Sequence, residues 1–291
     1  MLCKMDTIRD NKSFLIVLFL ISAILIISGS FFDLSFSEMV FVENQWFSVL
    51  MEAICFIPIY LPITLFFFLL SIKSKNTWQT WLFVILTALS VSVVVTVGFS
   101  YVHKRGIFKW LSFPVYFPLV FLLFLFLFEK MRRHHMFMKD SVFSGLLIIS
   151  IAGIMYLLYE LAIVHLLKAL AGRPRYSEIL MDGTLYFVPW FDFSGQGGNS
   201  FPSGHTAQSC GIMLLLLIPL IFPEKAWRRP LYSVISVLWV LITAFTRIIV
   251  GKHFLSDTGF AILIMEIGLM LLFVFSEIIK KRIDGSAYIH L

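Results

Sequence analysis

Eight long apolar runs constrain this chain more than any other feature of its sequence. Their approximate bounds are 13–32, 49–72, 81–102, 111–128, 141–167, 205–222, 231–250 and 257–279. A hydrocarbon core about 30 Å thick needs about 20 apolar helical residues to cross it, so each run is about long enough for one crossing. Helices are expected because lipid cannot satisfy exposed backbone amides. We therefore predict an all-α polytopic membrane bundle with about eight transmembrane helices.

The composition excludes several other classes of protein. Only 14% of the residues are charged, against about 25% in ordinary soluble domains, and 59% are hydrophobic. The first run is too long for the apolar part of a cleaved secretory signal, so we interpret it as a retained helix. The three cysteines are scattered, which predicts neither a disulfide framework nor a metal cluster. The net charge of +6 lies in short loops, so no nucleic-acid partner is expected.

The loop charges predict which ends of the helices face the cytoplasm. Positive residues favour that side, and they recur in alternate loops: Lys4, Arg9 and Lys12, then Lys73 and Lys75, then Lys130, Arg132, Arg133 and Lys139, then Lys225, Arg228 and Arg229, and finally Lys280, Lys281 and Arg282. The opposite, extracytoplasmic side then holds the loop 33–48, the long segment 168–201 and the turn 251–256. Lys104, Arg105 and Lys109 break this pattern.

A short motif lies where a polar segment enters the sixth apolar run. Residues 201–206 read Phe-Pro-Ser-Gly-His-Thr. Proline suits the first turn of a helix, so free backbone amides are predicted here, and such helix ends attract phosphate. The alternative is a plain helix entry in which His205 is an interfacial residue. This segment alone leaves both interpretations open.

A second motif joins the seventh and eighth runs. Thr246 and Arg247 are followed by His253 after five residues and by Asp257 after three more. Histidine and aspartate four apart can share one helical face, where the carboxylate can hold the imidazole in one tautomer for use as a nucleophile. In the alternative, Arg247 reaches the interface, Asp257 caps the eighth helix and His253 has no role.

A third motif follows the fifth run, where Lys168, Arg173 and Arg175 lie within eight residues. Cations at this position can be interfacial anchors. They lie on the predicted external side, however, where anchoring cations are less expected, and an anionic ligand explains them better.

Together the three motifs resemble the signature of the type 2 phosphatidic acid phosphatase superfamily, which shares a fold with vanadium haloperoxidases. Lysine, six residues and arginine are matched by Lys168 and Arg175, although Tyr176 replaces the proline that follows in the family. Proline, serine, glycine and histidine are matched by residues 202–205 in full. The third motif is matched by Arg247, His253 and Asp257, with Thr246 in the serine position. The first motif could also be aligned so that Arg173 and Pro174 match its arginine and proline. Leu166 would then occupy the lysine position, so we prefer the alignment on Lys168 and Arg175.

The resemblance implies a role for each motif residue in a metal-independent hydrolase without a cofactor. His253 attacks phosphorus, Asp257 orients His253, and His205 protonates the leaving lipid oxygen and then activates water. The implied phosphate-binding residues are Lys168, Arg175, Arg247, Ser203 and Gly204, and Arg173 is an accessory residue that steers the anion.

The implied fold divides the chain into two parts. Residues 1–80 form two accessory amino-terminal helices, and residues 81–291 form a six-helix phosphatase core with a catalytic loop at 168–204. The expected partners are membrane lipids and a lipid phosphate substrate, and the sequence does not predict an oligomeric state.

The substrate and two other functions stay open at the level of sequence. Undecaprenyl diphosphate and phosphatidylglycerol phosphate in a bacterial inner or cytoplasmic membrane are the leading substrates, followed by phosphatidic acid. A lipid-to-lipid phosphotransferase would use the same residues. A zinc site of His205, His253 and Asp257 is a chemical alternative. A transporter or lipid-binding scaffold would explain the intramembrane Glu160 and Glu266 instead.

Overall fold

The computed structural model describes residues 7–43, 45–104, 113–135 and 138–287, and in these ranges the chain is helical without strands. Two 3-10 segments, Cys210–Leu217 and Pro223–Arg228, lie between the α-helices. The α-helices are α1 (Thr7–Asp10), α2 (Lys12–Val40), α3 (Trp46–Ile54), α4 (Ile57–Lys73), α5 (Thr77–Lys104), α6 (Phe113–His135), α7 (Asp140–Ala171), α8 (Tyr176–Met181), α9 (Gly204–Ser209), α10 (Ile218–Ile221), α11 (Arg229–Ile249) and α12 (Leu255–Ala287).

Eight helical segments of the described chain are long and apolar enough to cross a membrane, as the eight runs predict. Four of them are composite: α3 with α4, α7 with α8, α9 to α10 with the 3-10 segment between them, and the 3-10 segment Pro223–Arg228 with α11. The α6 helix is the least buried of these segments, although it packs on α5 through the ring contact of Phe99 with Tyr116. The predicted all-α helical bundle is confirmed.

The first two membrane segments differ in detail from the prediction. The first apolar run was expected to end at Phe32, but α2 continues to Val40, so Asp33 and Ser37 are buried helical residues and not part of an external loop. The second segment restarts after Cys55 and Phe56. Pro58 explains the restart because it has no N–H to continue a helical ladder and is favoured in a first turn.

Two sets of polar contacts mark the opposite ends of the bundle. At one end Lys73 pairs with Asp140 at 2.6 Å, and Arg229 pairs with Asp10 at 3.0 Å. The termini of α2, α7, α11 and α12 that carry the predicted site lie at the other end. The loops are therefore grouped as the charge pattern predicts, while the side that faces the cytoplasm stays a prediction. Arg105 and Lys109, which break the charge pattern, lie outside the described residues.

The core lies among α2, α4, α7, α9 and α12, where Leu18, Met213 and Ile262 are almost completely buried. Close packing must hold these helices together because lipid tails are as apolar as the side chains themselves. Gly153 of α7 shows how close the approach is, since a Cβ there would overlap Pro62 of α4. Packing of this kind keeps the site end of the bundle in register.

Candidate active site

The residues of the three motifs meet at one end of the bundle, although up to 89 positions separate Lys168 from Asp257. His205 lies within electrostatic range of His253 and of three cations. Those cations are Lys168, Arg175 and Arg247. The structure thus brings two histidines and three positive side chains together, as the motif order suggests.

Backbone hydrogen bonds hold the loops of this region. Gly172 ends α7 with a φ of 56°, a left-handed conformation that glycine adopts without steric cost. Its carbonyl accepts hydrogen bonds from the backbone of Gln196 and Gly198, both at 2.9 Å. The Ser177 N–H donates to the Gly251 carbonyl at 2.9 Å and joins the first motif to the third. The long polar segment is therefore folded onto the α11–α12 turn.

His253 lies in the turn between α11 and α12 and is almost fully buried. Its Nδ1 is 2.6 Å from the carbonyl oxygen of Ser200. A carbonyl can only accept, so Nδ1 must carry the proton and Nε2 must keep its lone pair. Burial lowers the pKa of His253 to about 4, with further lowering by Lys168 and Arg175 against the opposing Asp257 carboxylate. A neutral imidazole at neutral pH is the form that can act as a nucleophile.

Asp257 is bonded through both carboxylate oxygens. Oδ1 accepts from Arg173 at 2.6 Å, and Oδ2 accepts from the Ser200 hydroxyl and from the Phe254 N–H at 2.8 Å. The hydrogen bond from the Phe254 N–H caps the start of α12. Asp257 therefore caps this helix, as one interpretation of the sequence expected, and a catalytic role is compatible with that. Asp257 Oδ2 lies 3.8 Å from His253 Nδ1, which is a charge contact and longer than a hydrogen bond. The predicted direct carboxylate–imidazole bond is thus replaced by the Ser200 carbonyl, because His253 lies before α12 and not on its face.

Arg173 is not the exposed anion-steering group that the sequence suggested. Its side chain is 1% exposed and pairs with two carboxylates, Asp33 at 2.9 Å and Asp257 at 2.6 Å. Its Nε also donates to the Val188 carbonyl, and its guanidinium lies 4.2 Å from the centre of the Phe254 ring. All of these contacts turn the cation inward, where it joins α2 to α12.

His205 begins the sixth membrane segment beside the proposed phosphate site. Its Nε2 is buried and has no hydrogen-bond partner among the described residues, and its ring packs edge to face on Tyr101 at 5.6 Å. Ser203 precedes it as the N-cap, with its hydroxyl 2.8 Å from the Thr206 hydroxyl and its N–H bonded to the Asp257 carbonyl at 3.0 Å. The helix end is thereby tied to α12.

Lys168 and Gly204 are neighbours at this helix end. A Cβ on Gly204 would lie 3.6 Å from the Lys168 Cε, so the missing side chain leaves the lysine beside the first free amides of the helix. The Lys168 ammonium donates to the Asn199 carbonyl at 2.6 Å and keeps two further donors. Arg175 bonds Glu178 at 3.1 Å and is about one third exposed, so it can reach a ligand from the loop side.

Arg247 is fully buried at the end of α11 and is held by α3. One of its terminal nitrogens donates to the Ser48 carbonyl, and another pairs with Glu52 at 3.1 Å. Its Nε has no hydrogen-bond partner among the described residues. The sequence predicted the arginine but not these partners, which come from a helix distant in the chain.

Sequence reasoning missed three groups of this site: Asp33, Glu52 and Ser200. An ionisable residue inside a membrane segment is a signal of function by default. This signal was already present at Glu52, which lies inside the second run, and it would have marked Asp33 had the first run been drawn longer. Ser200 acts through its backbone carbonyl as well as its hydroxyl, and no residue pattern predicts a backbone contact.

The alternative site chemistries can be compared with this geometry. In a zinc site Asp257 would have to supply a free oxygen, but both of its oxygens already accept hydrogen bonds. Among the described residues no group of three His, Cys, Asp or Glu side chains has a metal-binding arrangement. Glu160 and Glu266 are buried inside the bundle at 0% and 3% exposure, and Glu160 lies within electrostatic range of Lys168, which makes it part of the surroundings of this site.

Comparison with known families finds a match for just under half of the chain, the part that contains the three motifs. Residues 144–283 match the model of the PAP2 superfamily. The match begins within α7 and ends within α12, so it contains the three motifs and omits α1 to α6. No solved structure matches the chain.

Proposed function

Because residues 144–283 make this chain a member of the PAP2 superfamily, whose members are phosphatases, we propose that it hydrolyses a lipid phosphate through a phosphohistidine formed on His253. The single observation that carries this proposal is the bond from His253 Nδ1 to the Ser200 carbonyl. It fixes the tautomer that leaves Nε2 free to attack. Lys168, Arg175 and His205 lie within electrostatic range of this imidazole, which supports the proposal.

In the first step His253 Nε2 forms a bond to phosphorus while the bond from phosphorus to the lipid oxygen breaks. His205 enters this step protonated, with its positive charge balanced by the bound phosphate anion, and gives its proton to that oxygen, so the lipid leaves as an alcohol, or as a monophosphate when the substrate is a diphosphate. The attacking imidazole gains positive charge, and Asp257 at 3.8 Å stabilises that charge electrostatically.

In the second step water attacks the phosphohistidine. His205, now neutral, accepts a proton from the water, and the bond from phosphorus to Nε2 breaks to release inorganic phosphate and restore His253. No external oxidant or metal is needed for this balance of atoms and charge.

The cations provide the electrostatic stabilisation that phosphoryl transfer requires. Lys168, Arg175 and Arg247 neutralise the equatorial oxygens, and the Gly204 amide with the Ser203 hydroxyl adds hydrogen bonds. We propose that this clamp replaces a divalent metal in the reaction.

The membrane segments and the charge pattern support a substrate that is itself a lipid on the extracytoplasmic side. We propose undecaprenyl diphosphate or phosphatidylglycerol phosphate in a bacterial cytoplasmic membrane as the first substrates to test, with phosphatidic acid next. The test is phosphate release by purified, detergent-solubilised protein against these three lipids, with His253→Ala as the matched control. The proposal expects release from at least one lipid and none by the variant. No release from any lipid, or equal release by His253→Ala, would overturn it.

A further inference from the structure

Asp33 of α2 lies inside the buried network beside Asp257. Its Oδ2 accepts a hydrogen bond from Arg173 Nη2 at 2.9 Å, and its Oδ1 accepts one from the Ser256 N–H at 3.0 Å. The Ser256 hydroxyl also donates to it, and the Asp33 side chain is 1% exposed. Residue 33 lies far outside the range 144–283 that matches the family model. A charged group from the amino-terminal part of the chain is therefore built into the surroundings of the site.

Arg173 is the link between Asp33 and Asp257. Its Nη2 donates a hydrogen bond to Asp33 Oδ2. Its Nη1 donates to Asp257 Oδ1 and also to the Ser256 hydroxyl, which lies 2.9 Å away. Arginine holds two partners in a fixed relative geometry because its donors form a rigid fork. Without Asp33 the buried Nη2 would lose its charged partner, and Asp257 would be the one carboxylate left to Arg173 among the described residues. Asp33 and Asp257 are therefore joined through one guanidinium group.

Asp257 is connected to His253 through Ser200, which forms a hydrogen bond with each of them. The Ser200 hydroxyl donates to Asp257 Oδ2, and the carbonyl of the same residue accepts the His253 Nδ1 proton. A shift of Asp257 would therefore move the acceptor that selects the His253 tautomer. Each link in this chain is a hydrogen bond between buried groups, where a lost partner is costly.

We propose that Asp33 is a positioning residue of the phosphatase site, which acts through Arg173 and Asp257 on His253, so that α2 is part of the catalytic unit. This inference rests on the proposed function. It replaces the expectation that the first helices are accessory with a specific role for one of their residues.

The test is the variant Asp33→Asn, which removes the charge and keeps an oxygen able to accept from the Ser256 N–H. Ser37→Ala is the matched control because Ser37 lies one turn further along α2 and is also fully buried. Both variants and the wild type are purified as folded, monodisperse protein and assayed on the lipid phosphate that the wild type hydrolyses best. Asp33→Asn should lower kcat by about ten- to a hundredfold, the usual cost of removing a group that orients a reacting one, with KM changed by less than about threefold. Ser37→Ala should stay within about twofold of the wild type in both constants.

A second variant covers the case in which Asp33→Asn does not fold. Ser256→Ala removes one hydrogen bond to Asp33 and one from Arg173, and it should lower kcat by about three- to tenfold with KM again unchanged. A kcat within twofold of the wild type in folded Asp33→Asn or Ser256→Ala would overturn the inference. So would a rise in KM at unchanged kcat, or an equal loss in Ser37→Ala. A wild-type protein that releases no phosphate from any lipid would overturn the proposed function, and this inference with it.

Discussion

At the scale of single residues, one backbone carbonyl defines the chemistry of His253. Because the Ser200 oxygen can only accept, it selects the tautomer with a free Nε2, and Asp257 supports this arrangement from 3.8 Å. Among the residues that the structure describes, His205 has no such partner on its buried Nε2. The two histidines therefore lie in different surroundings, and their replacement should have different consequences.

Replacement of the two histidines should separate nucleophile from proton donor. His253→Ala should abolish turnover of every substrate, whereas His205→Ala should lower kcat on the lipid by about 10² to 10⁴, the usual contribution of a general acid. An aryl phosphate has a leaving group that needs little protonation, so His205→Ala should recover relatively more activity on it, and His253→Ala should recover none. Steady-state kcat on both substrates checks this. Substantial aryl phosphatase activity in His253→Ala would mean that His205 is the nucleophile and His253 the proton donor.

The neutral state of His253 should persist into acid. Its pKa is lowered from the ordinary 6.5 to about 4 because burial disfavours the charged ring, so the folded protein should keep it neutral at pH 5.5. Nitrogen NMR of protein with isotope-labelled histidine, in detergent, reports the protonation state and tautomer of the His253 ring. The signal of His253 is assigned through its loss in His253→Gln. We expect the Nδ1–H tautomer at pH 7.5 and at pH 5.5. A doubly protonated ring at pH 5.5 would contradict the burial argument.

Sequence alone predicts the motif residues of this site but not the network that holds them. Lys168, His205 and His253 are recognisable because phosphate chemistry restricts both residue type and spacing. Asp33 and Ser200 are not, because their importance comes from partners up to 223 positions away and from a backbone atom. Arg173 was predicted near the site with the wrong role, since nothing local shows that two carboxylates turn it inward.

At the level of helices, α2 shows that a charged residue does not always mark the end of a membrane segment. The apolar run stops at Phe32, and an unpaired aspartate would normally end the membrane segment. The helix continues for eight residues because Arg173 neutralises Asp33 inside the protein. The eight segments themselves were predictable, since each needs only an apolar run of sufficient length.

The orientation of these helices yields a prediction about sidedness. Cationic loops alternate with the site-bearing ones, so the loop between α8 and α9 should be extracytoplasmic. In a background without the three native cysteines, Ser194→Cys should react with a membrane-impermeant thiol reagent on intact cells, because Ser194 is exposed in that loop. Asn76→Cys, exposed at the opposite end of the bundle, is the control and should react only after lysis. The reverse labelling pattern would place the site in the cytoplasm.

At the scale of the whole molecule, the bundle gathers positive charge at one end and leaves lipid-facing apolar surface around it. The site combines Lys168, Arg175 and Arg247 from three parts of the chain, each held by an oxygen of the protein. We propose that such a site binds a dianion that remains anchored in the bilayer by its own tails.

This distribution of charge predicts activity without a divalent metal. Purified protein in excess chelator should keep at least about half of its lipid phosphatase rate, because three cations already neutralise the phosphate oxygens. Phosphate release before and after chelation checks this, with Lys168→Ala as the variant expected to lose activity in both conditions. Activity that disappears on chelation and returns with zinc or magnesium would contradict the histidine mechanism and favour a metal site.

In the proposed mechanism the phosphoryl group passes through a covalent bond to His253, and this bond can be trapped. Detergent-solubilised protein is mixed with lipid phosphate carrying radiolabelled phosphorus, quenched in alkali within milliseconds to seconds, digested and mapped by mass spectrometry. The proposed mechanism leads to acid-labile, alkali-stable label on the peptide that contains His253, to more label in His205→Ala if that variant slows hydrolysis more than formation, and to none in His253→Ala. Label on His205, or rapid turnover with His253→Ala, would contradict it.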